Sequence, residues 1–143
     1  LSQRLTALAT LSRLNNQRLD MHAGQLTTLQ GQKAALEEQI CELERRKVEE
    51  GNITLLEALP YLPHFLSDIR TEATRLGAAI SQLEESIELK KEDVMQAWQE
   101  TEKTNHLEVR EKLAMRLEQE RLEQMEADER SVIAYARSLR RSA

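Results

Sequence analysis

Apolar residues recur along most of the chain with alternating steps of four and three, the spacing that keeps one stripe of a helix facing a partner helix. Between residues 5 and 43 this stripe, here called the seam, has twelve positions, of which eight are apolar, and between 69 and 97 eight of nine are apolar. Polar residues then occupy it from 101 to 111, before apolar residues return. The seam positions are Leu5, Leu8, Ser12, Asn15, Leu19, His22, Leu26, Leu29, Lys33, Leu36, Ile40 and Leu43, then Ile69, Ala73, Leu76, Ile80, Leu83, Ile87, Lys90, Val94 and Ala97, then Thr101, Thr104, Glu108, Glu111, Met115, Leu122, Met125, Val132, Ala136 and Leu139.

The segment GNITLLEALPYLPHFL, residues 51–66, interrupts the seam and holds both prolines of the chain. Proline denies the backbone a helical hydrogen bond, and glycine and asparagine favour turns, so this segment predicts a reversal. Its turn and helix-start signals are Gly51, Asn52, the capping-box pair Thr54 and Glu57, Pro60 and Pro63. The apolar side chains expected to cover the end of the hairpin are Leu55, Leu56, Leu59, Tyr61, Leu62 and Phe65.

Two helices joined by this reversal can fold back on each other and bury both stretches of the seam. The predicted fold is therefore all-α: a single long antiparallel two-helix coiled-coil hairpin, with a first arm over about 1–49, a tip over 50–65 and a second arm over 66–141. At 1.5 Å per residue the arms are roughly 70 Å and 110 Å long. Either the second arm projects unpaired, or a segment ahead of residue 1 completes the first.

The polar seam positions indicate a register. If facing positions sum to about 116, apolar residues meet apolar residues and polar residues meet polar ones. A slip would bury polar side chains against leucine, so these pairs disfavour other registers. The expected pairs include Leu43 with Ala73, Leu36 with Ile80, Asn15 with Thr101 and Ser12 with Thr104.

Charge and cysteine usage narrow the class of protein. Charged residues form 31% of the chain, aromatic residues 3%, and the net charge of −5 mixes both signs, which favours a coiled coil without a nucleic-acid surface. The arginine-rich tail after Glu129 is a local exception to this mixture of charges, because it contains no acidic residue. The single Cys41 indicates a reducing compartment, and neither a membrane-spanning run nor a secretory signal is visible, so a cytoplasmic protein is expected.

No motif for catalysis or for a cofactor is found, and no cofactor is expected. His22, His64 and His106 are far apart, and none has another histidine or cysteine at ligand spacing, so no metal site is expected. A two-helix hairpin also offers no cleft that would shift the pKa of a carboxylate for catalysis. The sequence therefore does not predict an enzyme.

Each of two aromatic residues beside the seam has two possible roles. Trp98 either packs across the edge of the hairpin or anchors a partner, since tryptophan is common at interface hot spots. The same alternatives apply to Phe65.

Several local patterns resemble the FliJ family. In the stretch GNITLLEALPYLPHFLSDIRTEATRLGAAI, a Gly-Ile-Thr-like start leads to an aromatic residue, then a phenylalanine and an aliphatic residue four positions later. A tryptophan, a Glu-Gln-x-x-x-x-Asp-Glu cluster and an Ala-Tyr-Ala-Arg tail follow in the second arm. The residues that carry the resemblance are Gly51, Ile53, Thr54, Tyr61, Phe65, Ile69, Trp98, Glu123, Gln124, Asp128, Glu129, Tyr135 and Arg137; Pro60 and Pro63 depart from the family pattern.

The resemblance implies a non-enzymatic stalk of type III protein export, flagellar or of the related injectisome, where the counterparts are called YscO. Such a hairpin would insert the end carrying both termini into a hexameric export ATPase, and would contact the membrane protein of the export gate and the substrate chaperones. It would be peripheral to the export apparatus at the inner membrane, without inserting into it. By the family pattern, Phe65 and Ile69 match exposed gate-contacting positions, and the terminal cluster from Gln124 to Arg137 matches the ATPase-facing end.

Two other functions are consistent with the residues. The chain could be a structural or scaffolding coiled coil that dimerises through its polar C-terminal arm, as a parallel dimer without an ATPase partner. It could also be a membrane-surface helix using the arginine-rich tail, although four arginines with few bulky apolar neighbours make a poor interfacial anchor.

Overall fold

The computed structural model describes residues 2–52 and 59–142, and within these the chain forms two long α-helices. Helix α1 spans Ser2–Gly51, a short 3₁₀ helix spans Leu59–Tyr61, and helix α2 spans Leu62–Ser142. Leucine, alanine, glutamate, glutamine and arginine supply most positions of both helices, and all five residue types favour the helical conformation. The two helices pack against each other as an antiparallel hairpin, which confirms the predicted fold.

The helix boundaries follow the turn signals. Helix α1 ends at Gly51, and Asn52 lies in a turn. Helix α2 begins at Leu62, four residues before the predicted second arm, because Pro63 in the first turn removes an N–H that would have no intrahelical acceptor. Pro60 lies in the 3₁₀ helix. The proposed capping box of Thr54 and Glu57 lies outside the described residues, as do Leu55 and Leu56.

The prediction that apolar side chains cover the end of the hairpin is wrong for two residues. Tyr61 is 74% exposed and Leu59 is 46% exposed, whereas Leu62 and Phe65 are half-buried. A 3₁₀ helix has three residues per turn, so consecutive side chains point in three different directions and cannot all face α1.

The seam is the buried face of both helices as far as Met115. All of its positions up to that residue are buried or half-buried, including the polar ones. Every residue from 116 to 142 is exposed, although α2 continues through them. The period of four and three therefore identified the packed face, and burial stops where α2 has no helix beside it in the described structure.

Contacts within the chain group the residues into two units. The central unit comprises residues 17–98, and the terminal unit comprises residues 1–16 and 99–143. The core of the central unit includes Ile69, Leu76, Ile87 and Ala97, of which Leu76 is 1% exposed. Its seam also holds Lys90, whose ammonium donates to Oε1 of Gln25 at 2.7 Å. The aliphatic stem of a lysine can lie on the apolar seam while its charge reaches the polar edge.

In the terminal unit, polar seam residues form hydrogen bonds between the two helices. Asn15 is buried, and its Nδ2 donates to Oγ1 of Thr104 at 2.8 Å and to the backbone carbonyl of Glu100 at 3.4 Å. Ser12 donates to Oδ1 of Asn105 at 3.3 Å. These partners lie within a few residues of the predicted Thr101 and Thr104, so the register is confirmed. The individual partners differ because a side chain from one helix inserts between residues of the other rather than meeting a single one.

We expect Asn15→Leu to stabilise the hairpin and to weaken its register. Thr104 keeps its hydrogen bond to the carbonyl of Glu100, at 3.0 Å, so the substitution leaves no unsatisfied hydroxyl. The added apolar burial should raise the free energy of unfolding by on the order of 1 kcal/mol, while slipped registers lose their penalty. Thermal unfolding measures the first effect. Spin labels on the exposed Arg13 and Glu102, in a Cys41→Ser background, measure the second as a broader distance distribution. Lower stability with an unchanged distribution would contradict this role for Asn15.

Candidate partner-binding surfaces

The two predicted gate-contacting residues have different surroundings in the central unit. Both lie at the start of α2, one helical turn apart. Phe65 is half-buried, but Ile69 is only 8% exposed and belongs to the core. The expectation that Ile69 is exposed is therefore wrong, because position 69 lies on the seam and its side chain packs toward α1. Its role in partner binding stays a prediction.

Phe65 lies beside a basic side chain of the other helix. The guanidinium carbon of Arg46 lies 5.9 Å from the centre of the Phe65 ring, a cation–π distance. The ring remains partly accessible, so it can contact a partner without first leaving a core. No sequence pattern predicts this pair, since both residues lie off the seam and only the hairpin brings them together.

Trp98 presents part of its indole ring to solvent. Its side chain is 50% exposed, and Met95, on the preceding turn of α2, is 55% exposed. A large half-exposed aromatic side chain beside a flexible thioether is a composition found at protein interfaces. Both readings of Trp98, edge packing and partner anchor, agree with this half-burial, so its role in binding stays a prediction.

The C-terminal residues assigned to partner binding lie on the exposed segment of α2 in the terminal unit. Gln124 donates from Nε2 to Oδ1 of Asp128 at 3.0 Å, which bridges consecutive turns. Glu129 and Arg137 are exposed, and Tyr135 is 67% exposed. These side chains therefore line a helix surface rather than a pocket, and they can be contacted from several directions.

Ion pairs on this segment run along the helix. Arg121 bonds Glu118 and Arg130 bonds Glu126, in each case about one turn away. Hydrogen bonds from Arg121 lower the pKa of the Glu118 carboxyl, as those from Arg45 lower the pKa of Glu42. A lowered carboxyl pKa keeps the group ionised at neutral pH, as expected on a charged surface. A general acid would instead need a raised pKa, so that it holds a proton to donate.

An apolar groove in the terminal unit was not predicted. It has a volume of about 380 Å³ and runs between the two helices beside the ion pair of Arg4 with Glu111, whose atoms are 3.6 Å apart. Leu11 and Leu107, each nearly half exposed, supply its apolar walls. In the sequence, each of these two leucines comes one residue before a polar seam position. This pattern was the one feature that pointed to an apolar surface here.

Within residues 2–52 and 59–142, no three histidine, cysteine or acidic side chains gather closely enough to hold a metal ion. In the same part of the chain, neither helix contains a stretch with the length and hydropathy needed to cross a bilayer.

Comparison with known proteins identifies the family. Residues 3–140 match the family described as "FliJ: Flagellar FliJ protein". Comparison with curated proteins gave no match, and comparison with solved structures gave none either. The matched residues extend over both helices, including the N-terminal arm in which the sequence patterns are those of any coiled coil. The chain therefore belongs to the FliJ family, whose members are non-enzymatic components of the flagellar export apparatus.

Proposed function

We propose that this protein is the stalk and coupling subunit of a flagellar export ATPase complex. The terminal unit binds the hexameric ATPase, and the central unit contacts the export gate and the chaperones that deliver substrates. The observation that carries the proposal is the segment 116–142 of α2, which is helical and exposed at every residue. A helix with all sides accessible can be enclosed by a ring of subunits.

The chemistry of segment 116–142 suits contacts that must change. Its surface carries twelve charged residues, and its ion pairs lie along the helix at exposed positions, such as Arg130 with Glu126. Exposed ion pairs of this kind contribute about 0–1 kcal/mol, so exchanging one for a contact with the ATPase costs little. Charged contacts also favour fast association and exchange between equivalent partners. A ring that changes conformation during ATP hydrolysis could hold such a helix without trapping it.

The test is the effect of the full chain on the purified export ATPase. We expect the protein to increase the rate of ATP hydrolysis and to shift the ATPase toward the hexamer. Steady-state phosphate release measures the first effect, and sedimentation velocity measures the second. If neither the hydrolysis rate nor the hexamer population changes at saturating concentrations, the proposal is wrong.

A second surface for partners is proposed around Phe65. We expect Phe65→Ala to weaken binding to the cytoplasmic domain of the export gate at least tenfold and to lower the free energy of unfolding by no more than about 1 kcal/mol, because the ring is only half-buried. Isothermal titration calorimetry measures binding, and circular dichroism measures helicity.

The matched control for Phe65 is Arg46→Gln, which removes the cation that lies 5.9 Å from the ring and keeps the ring itself. Binding within twofold of the parent protein is expected for this variant. Should Phe65→Ala instead reduce helicity while binding is retained, Phe65 would be a packing residue and the gate contact would lie elsewhere.

A further inference from the structure

Segment 116–142 carries its charges in two blocks of opposite sign. The acidic block, residues 118–129, contains six acidic residues and a single arginine, Arg121. The basic block, residues 130–141, contains four arginines and no acidic residue. Among the described residues, Arg137, Arg140 and Arg141 belong to no ion pair, so much of the basic block is not neutralised within the chain.

The same segment also has an apolar face. Leu122, Met125, Val132 and Leu139 continue the seam at steps of three and four and are all about half exposed or more. Ala136 lies on the same stripe, and Glu129 interrupts it at the boundary between the blocks. A helix with such a stripe gains stability when another helix covers it.

These two patterns fit a second copy of the same segment in antiparallel orientation. With residue 125 opposite residue 136 of the other copy, residue 122 meets 139 and residue 129 meets 132, so apolar residues meet apolar ones at four of the six places. Each acidic block then lies along a basic block. A parallel arrangement would place each block beside its like, which costs Coulomb energy along the whole contact.

We propose that two copies of this chain associate through segment 116–142 as an antiparallel coiled coil. Glu129 falls opposite Val132 of the other copy near the two-fold axis, and a charged residue in a seam lowers stability. The association is therefore reversible. It covers the surface that we assign to the ATPase, so self-association and ATPase binding exclude each other. The inference does not depend on that assignment, because the charge blocks and the apolar face are properties of the isolated chain.

Disulfide exchange tests the orientation. In a Cys41→Ser background, Met125→Cys and Ala136→Cys are prepared as separate proteins, mixed and equilibrated in a glutathione buffer. We expect the mixed 125–136 disulfide to exceed both symmetric disulfides at least tenfold. Wild-type protein, with only the exposed Cys41, measures random collision under the same conditions. Symmetric disulfides in excess, or yields no higher than the Cys41 background, would overturn the proposal.

Charge reversal tests the cause. We expect Arg137→Glu with Arg140→Glu to raise the dimer dissociation constant at least tenfold in sedimentation equilibrium, and Glu120→Arg with Glu123→Arg to do the same. Mixing the two variants should restore association, because the two new glutamates of one copy then lie along the two new arginines of the other, and the remaining contact keeps the wild-type charges. Added salt should weaken the wild-type dimer. A monomeric wild-type protein at all concentrations would overturn the inference, even if it still stimulates the ATPase, and circular dichroism checks that each variant stays helical.

Discussion

Removal of residues 118–142 is expected to reduce stimulation of the export ATPase at least tenfold and to leave the hairpin folded. Among the residues whose side chains are described, all buried and half-buried ones precede residue 116, so the deletion removes no packed side chain. We therefore expect the melting temperature to change by no more than about 2 °C, which corresponds to less than 1 kcal/mol for a chain of this size. ATP hydrolysis at saturating protein measures the first effect, and circular dichroism measures the second.

A matched control separates the loss of the segment from a general effect on the protein. Leu89→Ala changes a leucine that is 65% exposed in the central unit and should keep full stimulation. A truncated protein that stimulates as well as the full chain would place the ATPase contact outside residues 118–142. A truncated protein that has lost helicity in the remaining residues would show that the segment supports folding.

Leu76→Ala is expected to lower the free energy of unfolding by about 2–4 kcal/mol. Leu76 is the most completely buried large side chain described, at 1% exposure, and its truncation leaves a cavity that two packed helices can close only in part. Urea denaturation followed by the helical circular dichroism signal gives the value. This is a large share of the stability of a hairpin, since native proteins are stable by only about 5–15 kcal/mol.

Leu89→Ala is the control for this change as well. The same atoms are removed from a position on the same helix that is 65% exposed, so the expected loss is below about 0.5 kcal/mol. Equal destabilisation by the two substitutions would show that the seam is not the source of stability. A loss at Leu76 of less than 1 kcal/mol would have the same meaning.

The sequence predicted the packed face well because the period of a coiled coil follows from helix geometry alone. Thr101 and Thr104 are polar, yet their seam positions predicted burial, and both are buried. The charge blocks around residue 130 can likewise be read directly from the sequence. The partner surfaces are predicted less well, because a family pattern identifies positions but does not show how deeply their side chains are buried. Ile69 was expected to be exposed and lies in the core.

Two features required the paired helices. The contact of Arg46 with Phe65 joins residues that lie off the seam, so no periodicity identifies it. The groove beside Leu11 and Leu107 is lined by residues of both helices, so neither helix forms it alone.

By itself the sequence determined the helical class, the place of the reversal, the seam and the register, because helix period, proline and the matching of polar positions act locally or along one stripe. Only the tertiary structure decided which apolar positions are buried. Leu76 and Leu122 occupy equivalent kinds of seam position, but Leu76 has α1 against it and Leu122 is 47% exposed. Burial requires a neighbouring surface, and a periodic sequence shows which side of a helix is ready for a neighbour without showing whether one is present.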